Sequence, residues 1–257
     1  MRLLIELVAV GNCLYDSKYY NKLQGLIYSL LKDTPYSILH NKKGYKFFCF
    51  SNIFPIPKEG QNRKIFEGER KRLLISSPDK LFIKFLEEKL QEKLDKKEEI
   101  NIGDMLFRLT SIKKFEIQLR NPVKLISATP IIIRIPERNY EKYKIPEEYR
   151  KRRYVFWRVP YPHDAFVKQL EENLIKKYNE FYKTNFSISE RIFKMFRYKK
   201  QVIARFDLHG KEQMVVGSIW EFTFPYLSEK EKKLLKFGID CGFGERNSLG
   251  FGFINPR

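Results

Sequence analysis

The spacing of apolar residues changes period along the chain in the order strand, helix, strand, strand, helix, strand, and the order occurs twice. Residues 2–9 alternate, with Leu3, Ile5 and Leu7 on one face. Residues 19–31 then switch to helical spacing, with Leu23, Leu26, Ile27 and Leu30 in one stripe. A loop holding His40 and Gly44 leads to a strand predicted around Lys46–Phe50. A polar, exposed connection over 57–71 follows, then a short strand at Arg72–Ser76. Ser77 and Pro78 signal the start of a helix that Leu81, Phe82, Phe85, Leu86 and Leu90 continue, and a further strand is expected within Met105–Leu119. The second half begins with strand-like Val123–Ile135 and a charged excursion over 136–153. A long amphipathic helix is marked by Phe166, Leu170, Leu174, Tyr178 and Phe181. Strands over 188–208 and 213–224 turn at His209–Gly210. Ser228 and Glu231 have capping-box spacing before a helix to about Gly238, and the last strand lies around Phe251–Ile254. This order is the ferredoxin-like unit. The predicted class is therefore α+β: tandem ferredoxin-like (RRM-like) domains, residues 1–120 and 121–257, with a C-terminal glycine-rich loop. Topology alone assigns no function.

Charge narrows the choice of partner. Fifty Lys and Arg against 31 Asp and Glu leave a formal net charge of +19 over 257 residues, of which 43% are hydrophobic. Such an imbalance speaks to partners and not to fold, and it suits nucleic acid or an anionic membrane surface. The plainer alternative is a generally lysine-rich composition. No apolar run approaches the ~20 residues of a membrane-spanning helix. The opening MRLLIELVAV is interrupted by Glu6 and reads as a first strand, not a signal peptide. Charge is spread along the chain instead of gathered on one amphipathic helix. The expectation is a cytoplasmic protein with a nucleic-acid partner and no membrane association. Cys13, Cys49 and Cys241 form no CxxC pair, and no Asp, Glu and His residues have ligand-like spacing, so neither metal nor cofactor is expected.

The sharpest local signal is near the C-terminus. Gly242, Gly244, Gly250 and Gly252, four of thirteen glycines, alternate with Phe243, Phe251 and Phe253 around Arg246. Glycine lets backbone approach a ligand closely, and successive N–H groups can form an anion-binding concavity. The spacing matches neither nucleotide-binding fingerprint. Two readings stay open: a structural turn, or a phosphate-handling loop assisted by Arg246.

Two basic stretches interleave cations with rings. One is Arg150–Arg158, which contains Lys151, Tyr154, Phe156 and Trp157. The other spans 188–206, with Arg197, Lys199 and four further cations. Either can neutralise phosphates and stack bases, or be solvated surface beside buried strands. Tyr28 lies roughly 150° from the centre of its helix's apolar stripe, at ~100° per residue. It is half-exposed packing or a functional group aimed away from the core. His40 sits in a polar loop with Asn41, Lys42, Lys43 and Lys46, and is either ordinary surface or a proton-transfer group. His163 and His209 read as a helix-start and a turn residue.

The G-h-G-x5-G-h-G-h loop closing a tandem ferredoxin-like chain resembles the CRISPR-associated RAMP proteins. With Leu23 to Tyr28 and the stretch from His40 through Gly44, Tyr45 and Lys46, the chain is most similar to the Cas6 family, which cuts the repeats of CRISPR precursor RNA. The resemblance implies a metal-independent endoribonuclease in which Tyr28 and His40 handle protons at the 2′-hydroxyl and 5′-oxygen, while Lys46 stabilises the phosphorane. It implies 5′-hydroxyl and 2′,3′-cyclic phosphate ends. It also implies a positive RNA path including Lys42, Lys43, Arg197, Lys199, Arg246 and the four loop glycines. The partner so implied is CRISPR repeat RNA, with an effector ribonucleoprotein complex as a further one; monomer and homodimer stay open. The competing readings are a non-cleaving repeat-RNA-binding relative and a structural subunit of such a complex.

Overall fold

The computed structural model describes residues 1–16, 18–57, 63–150, 152–208 and 211–257. The expected turn at His209–Gly210 and the cation Lys151 lie outside the described residues. The chain divides into two units. The first is Met1–Ile117 with Phe206–Gln213 and Ser248–Gly250; the second is Gln118–Arg205 with Met214–Asn247 and Phe251–Arg257.

The first unit contains β1 (Arg2–Ala9), β2 (Cys13–Leu14), α1 (Tyr20–Leu30), β3 (Cys49–Phe50), β4 (Lys64–Ile65), β5 (Arg70–Ser76), α2 (Lys80–Asp95), β6 (Glu99–Ile102) and β7 (Met105–Phe115). Its main sheet is antiparallel in the order β3-β5-β1-β7-β6, with β1 central, and β6 extends the ferredoxin-like order at one edge. The alternation in β1 places Leu3, Ile5, Leu7 and Ala9 in a core shared with Leu73, Ile75, Phe107 and Leu109. Leu23 and Ile27 of α1 and Phe82, Ile83, Leu86 and Leu90 of α2 join them. Each such side chain contributes about 1.5–3 kcal/mol by leaving water.

Two local expectations shift. The α2 N-cap is Asp79, one residue after the expected Ser77–Pro78 signal, and its carboxylate accepts from Leu81 N at 3.0 Å and Phe82 N at 3.2 Å. Ser77 instead ties the chain across, donating from its hydroxyl to Phe47 O at 2.7 Å. The strand expected over Lys46–Phe50 pairs only at Cys49–Phe50, because Phe47 has a φ of 52°, which a strand does not accommodate.

The second unit contains β8 (Val123–Ser127), β9 (Arg134–Pro136), β10 (Tyr154–Phe156), α3 (His163–Tyr182), most of β11 (Met195–Leu208) and of β12 (Lys211–Phe224), α4 (Glu229–Cys241) and β13 (Ile254–Pro256). The order β11-β12-β8-β13 is again ferredoxin-like, and β9 with β10 forms a separate ribbon. Phe166 of α3 stacks on Trp220 of β12 with ring centroids 4.2 Å apart, at the middle of this core. The strand expected over 123–135 breaks after Ser127, where the chain reaches Pro130, which has no N–H to donate. The strand expected from residue 188 starts at Met195. Ile192 and Phe193 give their N–H groups to the Glu171 carboxylate instead of a neighbouring strand. The Ser228–Glu231 capping box is formed, and α4 runs on to Cys241. Among the described residues no helix is long and apolar enough to cross a membrane.

Candidate active site

Tyr28 sits on α1, whose Leu23, Ile27 and Leu30 face the core. Its ring meets Phe48 edge-on at 6.2 Å and is half-buried. Phe48 is itself fully buried and stacked on Phe82 of α2 at 5.1 Å. That anchor, with the Ser77 bond to Phe47, fixes the segment in which Lys46 lies. Lys46 is therefore not a ladder residue, but its Nζ reaches the Tyr28 hydroxyl at 2.7 Å.

His40 ends a short 3-10 turn, Ser37–His40, pinned by buried Leu39 and by Tyr36, whose hydroxyl donates to Asp79 at 2.6 Å. The His40 ring is exposed and meets Tyr28 edge-on at 5.5 Å, and its backbone carbonyl accepts from Lys46 Nζ at 3.2 Å. Asn41 Oδ1 lies 2.9 Å from His40 Nδ1. An amide oxygen can only accept, so in the neutral imidazole an Nδ1–H on that oxygen leaves Nε2 free to receive a proton. The three side chains singled out in the sequence thus meet in one cluster of the first unit.

Burial pushes the Tyr28 phenol up to about 12, against a hydrogen bond from Ser248 that acts the other way. The phenol is therefore a proton holder at neutral pH. Burial lowers Lys46 from the ordinary lysine value, since leaving water disfavours its charged form. Ser248 is also bound by Gln24, whose Nε2 donates to the Ser248 carbonyl at 2.9 Å and to its hydroxyl at 3.0 Å.

The glycine-rich loop is built differently from an exposed phosphate cradle. Gly242, Gly244, Gly250 and Gly252 are all buried, each at positive φ. A Cβ at Gly252 would stand 1.9 Å from Phe243 O, and one at Gly250 2.3 Å from the Phe50 ring. Gly242 N donates to Gly238 O and Gly252 N to Pro130 O, both at 2.8 Å. Phe243, Phe251 and Phe253 are fully buried, as their alternation predicts. Lys177 of α3, 1% exposed, donates to Gly242 O, to Gly244 O at 3.1 Å and to Asn247 Oδ1 at 3.0 Å. Asn247 Nδ2 in turn donates to Phe243 O and Phe251 O. These glycines admit the protein's own atoms, and the loop presents Arg246 and Ser248 as half-exposed side chains.

Lys42 and Lys43 are exposed, with Lys42 Nζ 5.3 Å above the Phe47 ring. Arg197 and Lys199 project from the same face of β11 in the second unit, and Lys199 pairs with Glu221 at 3.5 Å. In the Arg150–Arg158 stretch Trp157 is buried, Arg158 lies over the Tyr149 ring and Arg150 pairs with Glu141. Among its described residues, Arg152 and Arg153 are the exposed cations. His163 is at the surface, stacked on Tyr198 at 6.0 Å, and does not cap α3. Among the described residues no group of three or more His, Cys, Asp or Glu side chains is placed to hold a metal ion.

The family model for CRISPR associated protein Cas6, C-terminal, matches residues 120–256. Over the whole of this chain and 99% of the relative, the sequence is 38% identical to the CRISPR-associated endoribonuclease Cas6 2 of Methanocaldococcus jannaschii. The chain belongs to the Cas6 family. A second relative, the CRISPR-associated endoribonuclease Cas6 of Haloferax mediterranei, is 27% identical over 99% of this chain and 93% of its own. Among solved structures, a CRISPR associated protein Cas6 superposes with a TM-score of 0.69 at 23% identity, covering 100% of this chain and 99% of its own. A RAMP protein binding different RNA substrates superposes at 0.72 and 20%, with the same coverage. At those identities the likeness is one of fold, and it agrees with the tandem ferredoxin-like reading of this chain.

No separate role for Gln24, Asn41 or Ser248 was legible in the sequence. Gln24 is four residues from Tyr28 and so shares its helix face, which was a usable signal. Ser248 is 224 residues from its Gln24 partner, and no local pattern links the two.

Proposed function

We propose that this chain is an endoribonuclease that cuts CRISPR repeat RNA within its precursor transcript, without a metal ion, at a site formed by Tyr28, His40 and Lys46. Family membership supports the substrate, since relatives are named CRISPR-associated endoribonucleases. The observation that carries the chemistry is the Lys46 ammonium on the Tyr28 hydroxyl at 2.7 Å, with the His40 ring edge-on beside it.

His40 Nε2 takes the proton of the 2′-hydroxyl, whose oxygen then attacks the adjacent phosphorus. The P–O5′ bond breaks and O5′ takes the phenolic proton of Tyr28, which burial keeps in place until then. Lys46 stabilises the charge that builds on the phosphorane and, afterwards, on the phenolate. The products are a 5′-hydroxyl fragment and a fragment ending in a 2′,3′-cyclic phosphate. Lys42, Lys43, Arg197, Lys199 and Arg246 lie on the RNA path in this reading. Gly242, Gly244, Gly250 and Gly252 serve it by shaping the loop that presents Arg246. The reading also takes residues 1–120 as a catalytic domain and 121–257 as an RNA-holding one, working in the cytoplasm with or without a larger effector complex.

The test is a cognate repeat RNA incubated in EDTA, beside the same RNA carrying one 2′-deoxy nucleotide at the cut. Cleavage is expected to persist in EDTA and to stop without that hydroxyl; a requirement for divalent ions, or undiminished cutting of the deoxy substrate, overturns the mechanism. His40→Ala is expected to lose cleavage on the order of 10²-fold or more while keeping RNA affinity. A wild-type chain that binds the repeat and never cuts it is the non-cleaving relative instead.

A further inference from the structure

Two of the described helices carry a glycine in their interior, and packing accounts for one of them. At Gly238 of α4 an added Cβ would stand 2.6 Å from the Phe243 ring and 2.7 Å from Leu174 Cδ1, so the fold demands a bare Cα there. At Gly25 of α1 an added Cβ would meet nothing within 4 Å. Gly25 has no left-handed backbone angle either, and it is exposed. Nothing in the fold requires it. A glycine in an exposed helix interior is nevertheless destabilising, because its backbone gives up more freedom on folding than that of alanine.

The place of that glycine points to what it serves. Gly25 is three residues before Tyr28, and residues at that spacing are neighbours on a helix surface. Gln24, next to it, holds the glycine-rich loop through Nε2, at 2.9 Å from Ser248 O and 3.0 Å from Ser248 Oγ. The bare turn therefore adjoins both the loop contact and the phenol that Lys46 Nζ reaches at 2.7 Å. Inside a helix the N–H and C=O groups of such a turn are already paired, so it offers clearance and close approach, not hydrogen bonds. Gly25 also supplies no ring or guanidinium plane on which a base could stack. A sugar–phosphate strand, which needs room beside the helix, suits it.

We propose that Gly25 is a clearance residue for the substrate: it keeps the flank of α1 free of side chains, so that the sugar–phosphate strand next to the cut runs against the helix and reaches Tyr28. The inference rests on the reading of Tyr28 as the proton donor to O5′. A proton donor has to come within about 2.6–3.2 Å of the atom it serves. That requirement brings the nucleotide bearing O5′ up to the stretch of helix that Gly25 leaves bare. The stability given up at this position is then the cost of letting the strand pass, a trade of stability for function.

The experiment measures three quantities on Gly25→Ala and Gly25→Gln. They are the urea midpoint, affinity for the repeat RNA carrying one 2′-deoxy nucleotide at the cut, and single-turnover cleavage of the all-ribose repeat. Both variants are expected to be more stable than the wild type, Gly25→Ala by roughly two- to fivefold in the folded-to-unfolded ratio. Gly25→Gln is expected to bind the deoxy repeat on the order of tenfold more weakly, as extra methylenes in an occupied contact would. It should also cut more slowly, with Gly25→Ala between it and the wild type. A glycine without a role toward RNA would move stability alone. Gly25→Gln with wild-type affinity and wild-type cleavage therefore overturns the inference and leaves the Tyr28 site intact. A variant less stable than the wild type overturns the premise that no protein contact needs the glycine. If Tyr28→Phe cuts at the wild-type rate, the assignment of Tyr28 fails; the affinity of Gly25→Gln for the deoxy repeat, which involves no proton transfer, still decides whether the strand passes there.

Discussion

At neutral pH the Tyr28 phenol keeps its proton, because burial pushes it up to about 12, whereas burial moves Lys46 down from the ordinary 10.5. The two shifts separate the groups on the alkaline side. Lys46 acts in its charged form, so a lowered value means that the charge is lost earlier as pH rises. Tyr28 acts in its protonated form and survives to higher pH. Single-turnover cleavage should therefore decline at a pH below 10.5 through Lys46 alone. In Lys46→Arg the relative pH profile should lose that decline, since a guanidinium does not deprotonate in this range. A decline at the same pH in Lys46→Arg would assign it to some other group. At this scale the chain was legible in the cluster that Tyr28, His40 and Lys46 form, where chemistry and resemblance met. It was not legible at Ser248, whose meaning depends on a glutamine 224 positions away. Nor was it legible at the loop glycines, since a glycine that admits a ligand and one that admits a phenylalanine look alike in a string of letters.

Elements were read well in order and less well at their ends, and the misplaced ends share a cause: side chains taking over backbone hydrogen bonds, or a backbone angle that breaks the ladder. Glu171 captures the N–H groups that would have lengthened β11, Asp79 captures those that open α2, and the positive φ of Phe47 shortens β3. Periodicity records which face is buried and is silent on such substitutions of partner. Asp79→Ala should destabilise the protein by about 1 kcal/mol through the lost cap, and by more in total because Tyr36 also loses its acceptor. A urea midpoint equal to that of the wild type would show the cap to be idle. The same logic applies to α3. Lys177→Met leaves the carbonyls of Gly242 and Gly244 buried without their donor. It should cost about 1–3 kcal/mol in the same measurement.

For the whole molecule the governing quantity is the net charge of +19. An interface of six to ten phosphate contacts would lose about 10³- to 10⁵-fold in affinity between roughly 50 and 200 mM salt. Replacing Lys42 and Lys43 together by Gln should reduce the slope of log affinity against log salt by about 2 if both meet phosphates. An unchanged slope would remove them from the path, and His40→Ala should leave it as it is. The buried state of the glycines has a bearing on how such chains are sorted. Because Gly250 and Gly252 accommodate Phe50 and the Phe243 carbonyl, their pattern is a condition for folding and says nothing about whether a strand gets cut. Searches keyed to it will gather cutters and mere holders alike. A sieve for the proposed chemistry has to ask instead for a tyrosine on the first helix, the histidine after it, and a lysine placed to meet the phenol.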